Sequence, residues 1–218
     1  MRFLTIICAL SLSLSVASAE PVARPLTHAR LHAGPTIAVF GALRTPSRFL
    51  LIPADLLTGQ ISFENAQFTS VIVSAPLAAF SVPLPGGKRR LDGFEVSAEM
   101  QVLKHFSLES SWEMTGALVL RSGEIPLGRR ASFNLAWGNG LSYAFSPPRL
   151  ELGPGRLPGA DTPQLLWHMS AEAEFAAAAS PGYSGFMRIH HRSGVFGLIA
   201  PEWSGSNYLG IGLRYRYR

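Results

Sequence analysis

The stretch that decides the fold is FEVSAEMQV, Phe94 to Val102. Apolar and polar residues alternate along it without a break, so that one face of an extended chain would be apolar and the other would carry carboxylates. The same alternation returns over residues 108–120, 131–145, 165–175 and 209–218. A period of two predicts β-strands with one polar face. The chain is therefore predicted to be all-β.

The composition limits the kind of β-structure that these strands can form. Of the 218 residues, 47% are hydrophobic and only 15% are charged, whereas about a quarter of the residues are charged in an ordinary soluble domain. Beyond the first residues, no uninterrupted apolar run reaches the roughly 18 residues of a membrane helix. The folds that remain possible are a β-sandwich and a transmembrane β-barrel. Strands longer than the five or six residues usual in globular sheets favour the barrel.

The beginning of the chain predicts export. An apolar stretch from Phe3 to Val16 leads to Ala17-Ser18-Ala19, which has the small residues of a cleavage site. Residues 1–19 are therefore predicted to be a cleaved signal peptide, and residues 20–218 a single outer-membrane barrel domain. The one cysteine, Cys8, lies inside the predicted signal peptide, so the mature domain has no disulfide and no thiolate. An exported chain of this length without disulfides suits a bacterial envelope.

Eight antiparallel strands are predicted, the smallest common number for an outer-membrane barrel. Their ranges are 35–44, 66–80, 93–105, 106–121, 129–146, 163–176, 184–199 and 206–218. Alternation is weak in the first two strands, where Val71, Ile72 and Val73 run together. The sequence from Trp137 to Gly140 contains Asn-Gly, which suits a hairpin turn, but the alternation continues across it. One long strand is therefore predicted there.

The connections predict how the barrel sits in the bacterial outer membrane. With both ends of the chain in the periplasm, the outer connections are 45–65, a tight turn at 103–106, 147–162 and 200–205. Two of these are long, as external loops tend to be. The segment 81–92 is long for a periplasmic turn. The outer-membrane assembly machinery is an expected partner, and a pore is the least favoured function because side chains fill the lumen of so small a barrel.

The charged residues are expected to serve the barrel and its lipid surroundings. The net charge of +5 suits anionic lipid head groups, and export makes a nucleic-acid partner unsuitable. The lumen face is predicted to hold ion pairs, of His190 and Arg192 with Glu172 and Glu174, and among Arg214, Arg216 and Arg218 with lumen acids. His168 shares the lumen face with Glu172, but no metal site is predicted.

Outward-facing polar residues on the last two strands form the candidate site. His191 and Ser193 share the parity of the apolar Met187 and Ile189, so both are predicted to face lipid, and Asn207 faces outward at the start of the final strand. A serine hydroxyl becomes nucleophilic when an adjacent base takes its proton and a third group holds that base. The arrangement predicts Ser193 as nucleophile, His191 as general base and Asn207 as the orienting residue. Interfacial side chains that bind only each other and lipid head groups are the alternative.

The sequence at the end of the chain, HRSG followed by GSNYLGIGLRYRYR, resembles that of the lipid A 3-O-deacylases (the PagL type). These are eight-stranded outer-membrane barrels that remove an ester-linked acyl chain from lipopolysaccharide. They carry His-x-Ser on the penultimate strand, facing lipid, and a carboxylate on the final strand. The resemblance implies a lipid A deacylase acting on lipopolysaccharide in the outer leaflet, without a metal or an organic cofactor. A non-catalytic small barrel, structural or adhesive, is the alternative.

The chain departs from that family pattern at two positions. Asn207 stands where the family has its carboxylate, and Glu202 in the last loop is the weaker alternative for the third member. Gly194 follows the serine, where the family tends to have asparagine. An oxyanion would then be held by backbone amides, such as those of Gly194 or Gly197.

Overall fold

A computed structural model describes residues 34–84, 90–151, 162–180, 182–202 and 204–217. The predicted signal peptide, residues 1–19, and Arg218 lie outside these ranges. The strands are β1 Thr36–Thr45, β2 Ala66–Pro83, β3 Arg90–Ser107, β4 Trp112–Arg121, β5 Ile125–Leu127, β6 Ala131–Ala144, β7 Leu165–Ala177, β8 Tyr183–Ser193 and β9 Gly205–Arg216. A 3-10 helix, Phe49–Leu51, and α1, Ile52–Thr58, lie between β1 and β2. Within the described ranges, no helix has the length and apolar character to cross a bilayer.

The strands form one closed antiparallel sheet. Each barrel strand pairs with its neighbours along the chain, and β1 pairs with β9 to close the ring. The short β5 pairs with the first residues of β6, and β4 pairs with the rest of β6. β4 and β5 thus share one position in the ring, separated by residues 122–124. The barrel has eight strand positions, which confirms the predicted fold class.

The two faces of the sheet differ in polarity, as the alternation predicts. The inward side chains that are buried and polar include Glu95, Glu99, Gln101, Glu113, Thr115, Asn134, Ser142, His168, Glu172, Glu174, Arg188 and Arg214. The outward side chains that are exposed and apolar include Met100, Val102, Met114, Leu118, Leu120, Leu135, Leu141, Ile211 and Leu213. An apolar outer wall around a polar interior is the arrangement that a bilayer requires of a closed sheet.

The structure corrects three of the predicted boundaries. The expected turn at 103–106 is strand, because Leu103 faces inward and packs with Phe68 and Tyr208. The turn lies at 108–111 instead. In the predicted periplasmic connection 81–92, residues 81–83 and 90–92 are strand, since β2 continues to Pro83 and β3 begins at Arg90. By contrast, β6 runs unbroken through the Asn-Gly sequence, as predicted.

The third correction concerns the strand that carries the candidate site. The predicted strand 184–199 ends at Ser193. Val195, Phe196 and Gly197 follow in left-handed conformations, with φ of 51°, 53° and 88°. A β-branched residue such as Val195 adopts this region only when the surrounding structure holds it there. Residues 194–200 therefore form a tight turn at the end of the barrel that also carries the connections 46–65, 108–111 and 145–164; we call it the loop end.

An ion-pair network fills the half of the lumen away from the loop end. Arg188 binds Glu99 at 2.7 Å and Glu172 at 2.9 Å. Arg214 binds Glu172 at 2.6 Å and Glu174 at 2.8 Å, which confirms its predicted pairing in the lumen. Arg121 also binds both Glu172 and Glu174. Because each carboxylate has charged partners, its desolvation cost is offset within the network.

The lumen near the loop end has a separate polar cluster, and here the predicted partners were wrong. His190 binds Glu113, not Glu172 or Glu174, with 3.1 Å between Nε2 and Oε1. Arg192 binds Glu151 at 2.7 Å. The predicted partners are out of reach because Glu172 lies opposite Arg188 in the register of β7 and β8, two residues further from the loop end than His190.

The segment between β1 and β2 folds over the outer wall of the barrel. Ile52 of α1 is fully buried against two outward-facing residues, Ile189 of β8 and Leu209 of β9. Leu57 of the same helix is apolar as well but 87% exposed. This segment therefore adds a second layer to part of the lipid-facing wall, directly beside the candidate site.

Candidate active site

The register of the last three strands sets His191 and Asn207 side by side. His191 pairs with Asn207 on β9 and with Met169 on β7. All three face outward, because they share the parity of the exposed apolar residues on their strands. Directly opposite residues have Cβ atoms about 5 Å apart, which is close enough for an imidazole to reach an amide.

A hydrogen bond joins these two side chains. His191 Nδ1 and Asn207 Oδ1 lie 2.6 Å apart. The amide nitrogen of Asn207 donates to the backbone carbonyl of Ser47 at 2.9 Å, so its oxygen is turned toward the histidine. An oxygen there accepts a hydrogen bond from the Nδ1–H group, which leaves Nε2 as the basic nitrogen. The loop carbonyl of Ser47 thus selects the tautomer that a general base needs.

Ser193 is the last residue of β8 and lies on the same face, two residues beyond His191. Its hydroxyl oxygen accepts the backbone N–H of Val195 at 3.0 Å. Within the described part of the chain, Ser193 forms no hydrogen bond with His191. The hydroxyl proton is not used by the Val195 contact, since an oxygen that accepts one bond still carries its own donor.

An aromatic pair encloses the imidazole from outside. The ring of Phe49 stacks on His191 with 4.7 Å between centroids and 22° between planes. The same phenylalanine meets Trp137 of β6 edge-on at 5.5 Å. His191 is consequently half-buried although it faces outward. Phe49 and Trp137 separate one face of the imidazole from the surrounding lipid.

The turn after Ser193 presents backbone amides near its hydroxyl. The amide of Gly194 donates to the carbonyl of Ser204 at 3.0 Å, so it is already engaged. The amides of Phe196 and Gly197 donate no hydrogen bond to any described residue. Of the two glycines predicted to hold an oxyanion, Gly197 therefore has the available N–H.

The alternative third member, Glu202, lies in the turn between β8 and β9. Its side chain is exposed and sits beside Gly197. No hydrogen bond between Glu202 and His191 occurs among the described residues. The position next to the imidazole is taken by Asn207.

A buried contact behind the site ties Glu151, in the connection after β6, to the same two strands. Glu151 accepts hydrogen bonds from Arg192 and from the Ser206 hydroxyl, each at 2.7 Å. These two residues immediately adjoin His191 and Asn207 in sequence but point into the lumen. Burial raises the pKa of Glu151 above its usual range, although the Arg192 guanidinium opposes this. The contact fixes the backbone on which the outward pair stands.

Two residues at the site were not singled out from the sequence. Phe49 belongs to a loop without alternation, so no local pattern connects it to a strand some 140 residues away. Asn139 was considered only as part of a turn signal, yet it lies in the same row as Met169 and His191. Its outward parity in β6 was available from the sequence. It is a half-buried amide in an apolar wall, and such groups are functional candidates.

Comparisons with known proteins bear on the fold. No protein-family profile and no curated protein sequence matches the chain. Among solved structures, it is similar to the outer membrane enzyme PagL, with a TM-score of 0.51 and 14% identity over 83% of this chain and 99% of that chain. The fold is that of an outer-membrane barrel. Together with the apolar outer wall, this confirms the predicted localisation in the outer membrane.

A second solved structure is neisserial surface protein A (NspA). Its TM-score is 0.45 and its identity 12%, over 85% of this chain and 98% of that chain.

Proposed function

We propose that this chain is an outer-membrane esterase that hydrolyses an ester-linked acyl chain of lipopolysaccharide. The observation that carries the proposal is the outward-facing bond of 2.6 Å between His191 and Asn207. A histidine that an amide holds in one tautomer on a lipid-facing wall contributes little to the stability of the barrel, because apolar side chains have a lower free energy in contact with lipid. Its free Nε2 lies on the same face as the hydroxyl of Ser193.

The chemistry follows from these atoms. Ser193 Oγ attacks the ester carbonyl while its proton passes to His191 Nε2, and the histidine then gives that proton to the leaving alcohol. Water, deprotonated by the same nitrogen, cleaves the acyl-enzyme and releases a fatty acid. Residues two apart on a strand are about 6.6 Å apart at Cα, so a rotation about the Cα–Cβ bond of Ser193 is needed to bring the hydroxyl toward the ring.

Asn207 supports this chemistry by orientation alone. Its oxygen accepts a hydrogen bond from the Nδ1–H group of His191. As a neutral amide, it does not neutralise the imidazolium that forms in the reaction. We therefore expect slower turnover than a carboxylate in that place would give. The negative oxygen of the tetrahedral intermediate would be bound by the free amides of Phe196 and Gly197.

The position of the site suits a substrate in the outer leaflet. His191 and Ser193 lie at the upper end of β8, next to the loop end. With both chain termini in the periplasm, this end is extracellular, where lipopolysaccharide presents ester groups just below its sugars. The half-buried Asn139 of the same row is placed to bind a hydroxyl or amide of that head group.

A non-catalytic barrel is the second candidate, and one observation favours it. The hydroxyl of Ser193 accepts the Val195 amide and is not bonded to His191. In this alternative, the hydroxyl serves only to close the turn after β8. The His191–Asn207 pair would then anchor the segment 46–65 through Ser47.

Incubation of the purified barrel with lipopolysaccharide in detergent micelles separates the two candidates. Mass spectrometry of the released fatty acids should show a hydroxy fatty acid with the wild-type protein and none with Ser193→Ala. Ser180→Ala, an exposed serine at the opposite end of the barrel, serves as the matched control and should release the same product as wild type. Equal release by Ser193→Ala and wild type, or none from either, would overturn the esterase proposal.

A further inference from the structure

A groove lies on the lipid-facing wall beneath α1. It encloses about 560 Å³ between the helix and the outer faces of β6, β7 and β8. Its helix side is formed by Ile52, Pro53, Leu56 and Leu57, and its wall by Leu135, Trp137, Ala171, Ala173, Met187, Ile189 and their neighbours. A volume of this size is ordinary for a small-ligand site.

The groove exists because small residues on β7 lie between large ones on both neighbours. Ala171 is opposite Trp137 on one side and Ile189 on the other. Ala173, two residues further from the loop end, is opposite Leu135 and Met187 in the same way. The two alanines form a floor that runs along the strand direction, and α1 covers its upper part.

The upper end of the groove adjoins the candidate active site. Ile189, in the groove wall, precedes His191 by two residues on the same face. Phe49 contacts His191 and also Trp137, which lines the groove. From His191 to Met187, four residues along β8, the path is about 13 Å long. A ligand in the groove would therefore have one end next to His191 and Ser193.

The chemistry of the lining identifies the occupant as a hydrocarbon chain. Ser122 and Glu172 are the polar residues of the lining, and the Glu172 carboxylate is turned inward, where Arg188 and Arg214 bind it. The groove lies in the apolar belt of the barrel, at the depth where lipid acyl chains are the surrounding medium. No hydrogen-bonding ligand would recover its desolvation cost there.

We infer that this groove binds the acyl chain of the ester that Ser193 cleaves, and that Ala173 limits the chain length. This inference rests on the proposed function. A chain that extends from the ester carbonyl at Ser193 would pass beside the stacked rings of Phe49 and His191 and then between α1 and the floor of alanines. For an ester that enters from water, each methylene buried in the groove contributes about 0.8 kcal/mol, or about fourfold in affinity. Chain-length preference should therefore rise steeply until the chain reaches the end of the groove.

Filling the far end of the groove tests this directly. Ala173→Phe places a ring on the floor without touching His191 or Ser193, while Ala98→Phe adds the same ring to an outward position of β3 outside the lining. Hydrolysis of p-nitrophenyl esters from butyrate to palmitate is measured for both variants and wild type. Wild type and Ala98→Phe should gain about fourfold per added methylene up to long chains. In Ala173→Phe the gain should stop at shorter chains, so that the ratio of palmitate to butyrate hydrolysis falls below that of wild type and Ala98→Phe.

A binding measurement tests the acyl-chain groove separately from the esterase activity. Native mass spectrometry of the detergent-solubilised barrel with myristate should show one bound chain in wild type, Ser193→Ala and Ala98→Phe, and loss of at least tenfold in occupancy for Ala173→Phe. If no protein hydrolyses esters but this binding pattern holds, the esterase fails and the groove stands as a lipid site. If esters are hydrolysed with the same chain-length profile in Ala173→Phe and wild type, the groove assignment is overturned and the esterase stands.

Discussion

Two adjacent histidines on β8 lie on opposite faces of the sheet and have different surroundings. His190 points into the lumen, where it is fully buried, binds Glu113 and packs against Phe68 with 5.1 Å between ring centroids. His191 points outward, binds the amide of Asn207 and is only half-buried. The first is enclosed on every side by protein. The second is bonded to Asn207 through Nδ1, and Nε2 is the nitrogen that we propose acts on the substrate.

The surroundings of a side chain on this barrel thus depend on the face of the sheet that carries it more than on its residue type. In the lumen, histidines, arginines and glutamates bind one another, so their charges stabilise the closed sheet. On the outer wall the partners are fewer, and the polar groups that remain there lie beside lipid. The period of two thus sets adjacent imidazoles on opposite faces, one bound to Glu113 in the lumen and one that we propose to be catalytic on the outer wall.

The largest expected effect is the loss of ester hydrolysis when His191, but not His190, is replaced. His191→Ala should lower ester hydrolysis by about 10⁴-fold, because Ser193 loses its general base, and should leave the barrel folded. His190→Ala should retain hydrolysis within a fewfold but lower the free energy of unfolding by about 1–3 kcal/mol, since Glu113 loses a buried partner. Initial rates on p-nitrophenyl esters and urea unfolding in detergent measure both quantities. Equal rate losses in the two variants would show that the face is not decisive.

The next effect concerns the lumen alone. Glu172→Gln should lower the free energy of unfolding by about 3–5 kcal/mol, because Arg188, Arg214 and Arg121 lose the carboxylate that they share. Asp92→Asn, at an exposed position of β3, is the matched control and should change it by less than about 0.5 kcal/mol. Urea unfolding followed by tryptophan fluorescence gives both values. An unchanged midpoint for Glu172→Gln would mean that the network contributes little to closure of the barrel.

A smaller loss of hydrolysis is expected when Asn207, the partner of His191, is replaced. Asn207→Ala should lower hydrolysis by about 10²-fold, because the imidazole loses the acceptor that fixes its tautomer. Asn207→Gln keeps an amide but cannot reach both His191 and the Ser47 carbonyl, so it should not restore the rate. The rates are compared at equal concentrations of folded protein, determined by circular dichroism. Full activity in Asn207→Ala would remove the asparagine from the mechanism.

The smallest effect concerns the aromatic cover. Phe49→Ala should weaken hydrolysis by about two- to tenfold, corresponding to the roughly 0.5–1.5 kcal/mol of an aromatic contact, and mainly through KM. Phe49→Tyr, which keeps the stacking ring, should behave as wild type. Steady-state kinetics with a long-chain ester provides the comparison. A loss as large as that of His191→Ala would instead point to collapse of the site.

Much of the barrel could be predicted because alternation is a local property. The polar and apolar faces of β3, β6, β7 and β9 follow from their own residues, and so does the outward direction of His191, Ser193 and Asn207. The prediction of a turn at 103–106 was wrong because Leu103 is an apolar residue that faces the lumen. Its inward direction depends on contacts with distant strands, which a local pattern does not contain.

The parts of the site that escaped prediction depend on three-dimensional neighbours. Phe49 and the carbonyl of Ser47 come from a loop that has no periodicity, and they reach His191 and Asn207 only because α1 folds over the barrel wall. The partners of His190 and Arg192 are set by the register and by the path of the loop that carries Glu151. Likewise, the end of β8 is set by the left-handed turn at 195–197, although the alternation of residue types continues in the sequence beyond Ser193.

Covalent labelling tests whether His191 activates Ser193 on the lipid-facing wall. A fluorophosphonate reagent is applied to the purified barrel, and the adduct is located by peptide mass spectrometry. The adduct should form on Ser193 in wild type and in His190→Gln, and should fall by at least a hundredfold in His191→Gln. Absence of an adduct on Ser193 in the wild-type protein, or equal labelling in His191→Gln, would contradict the account.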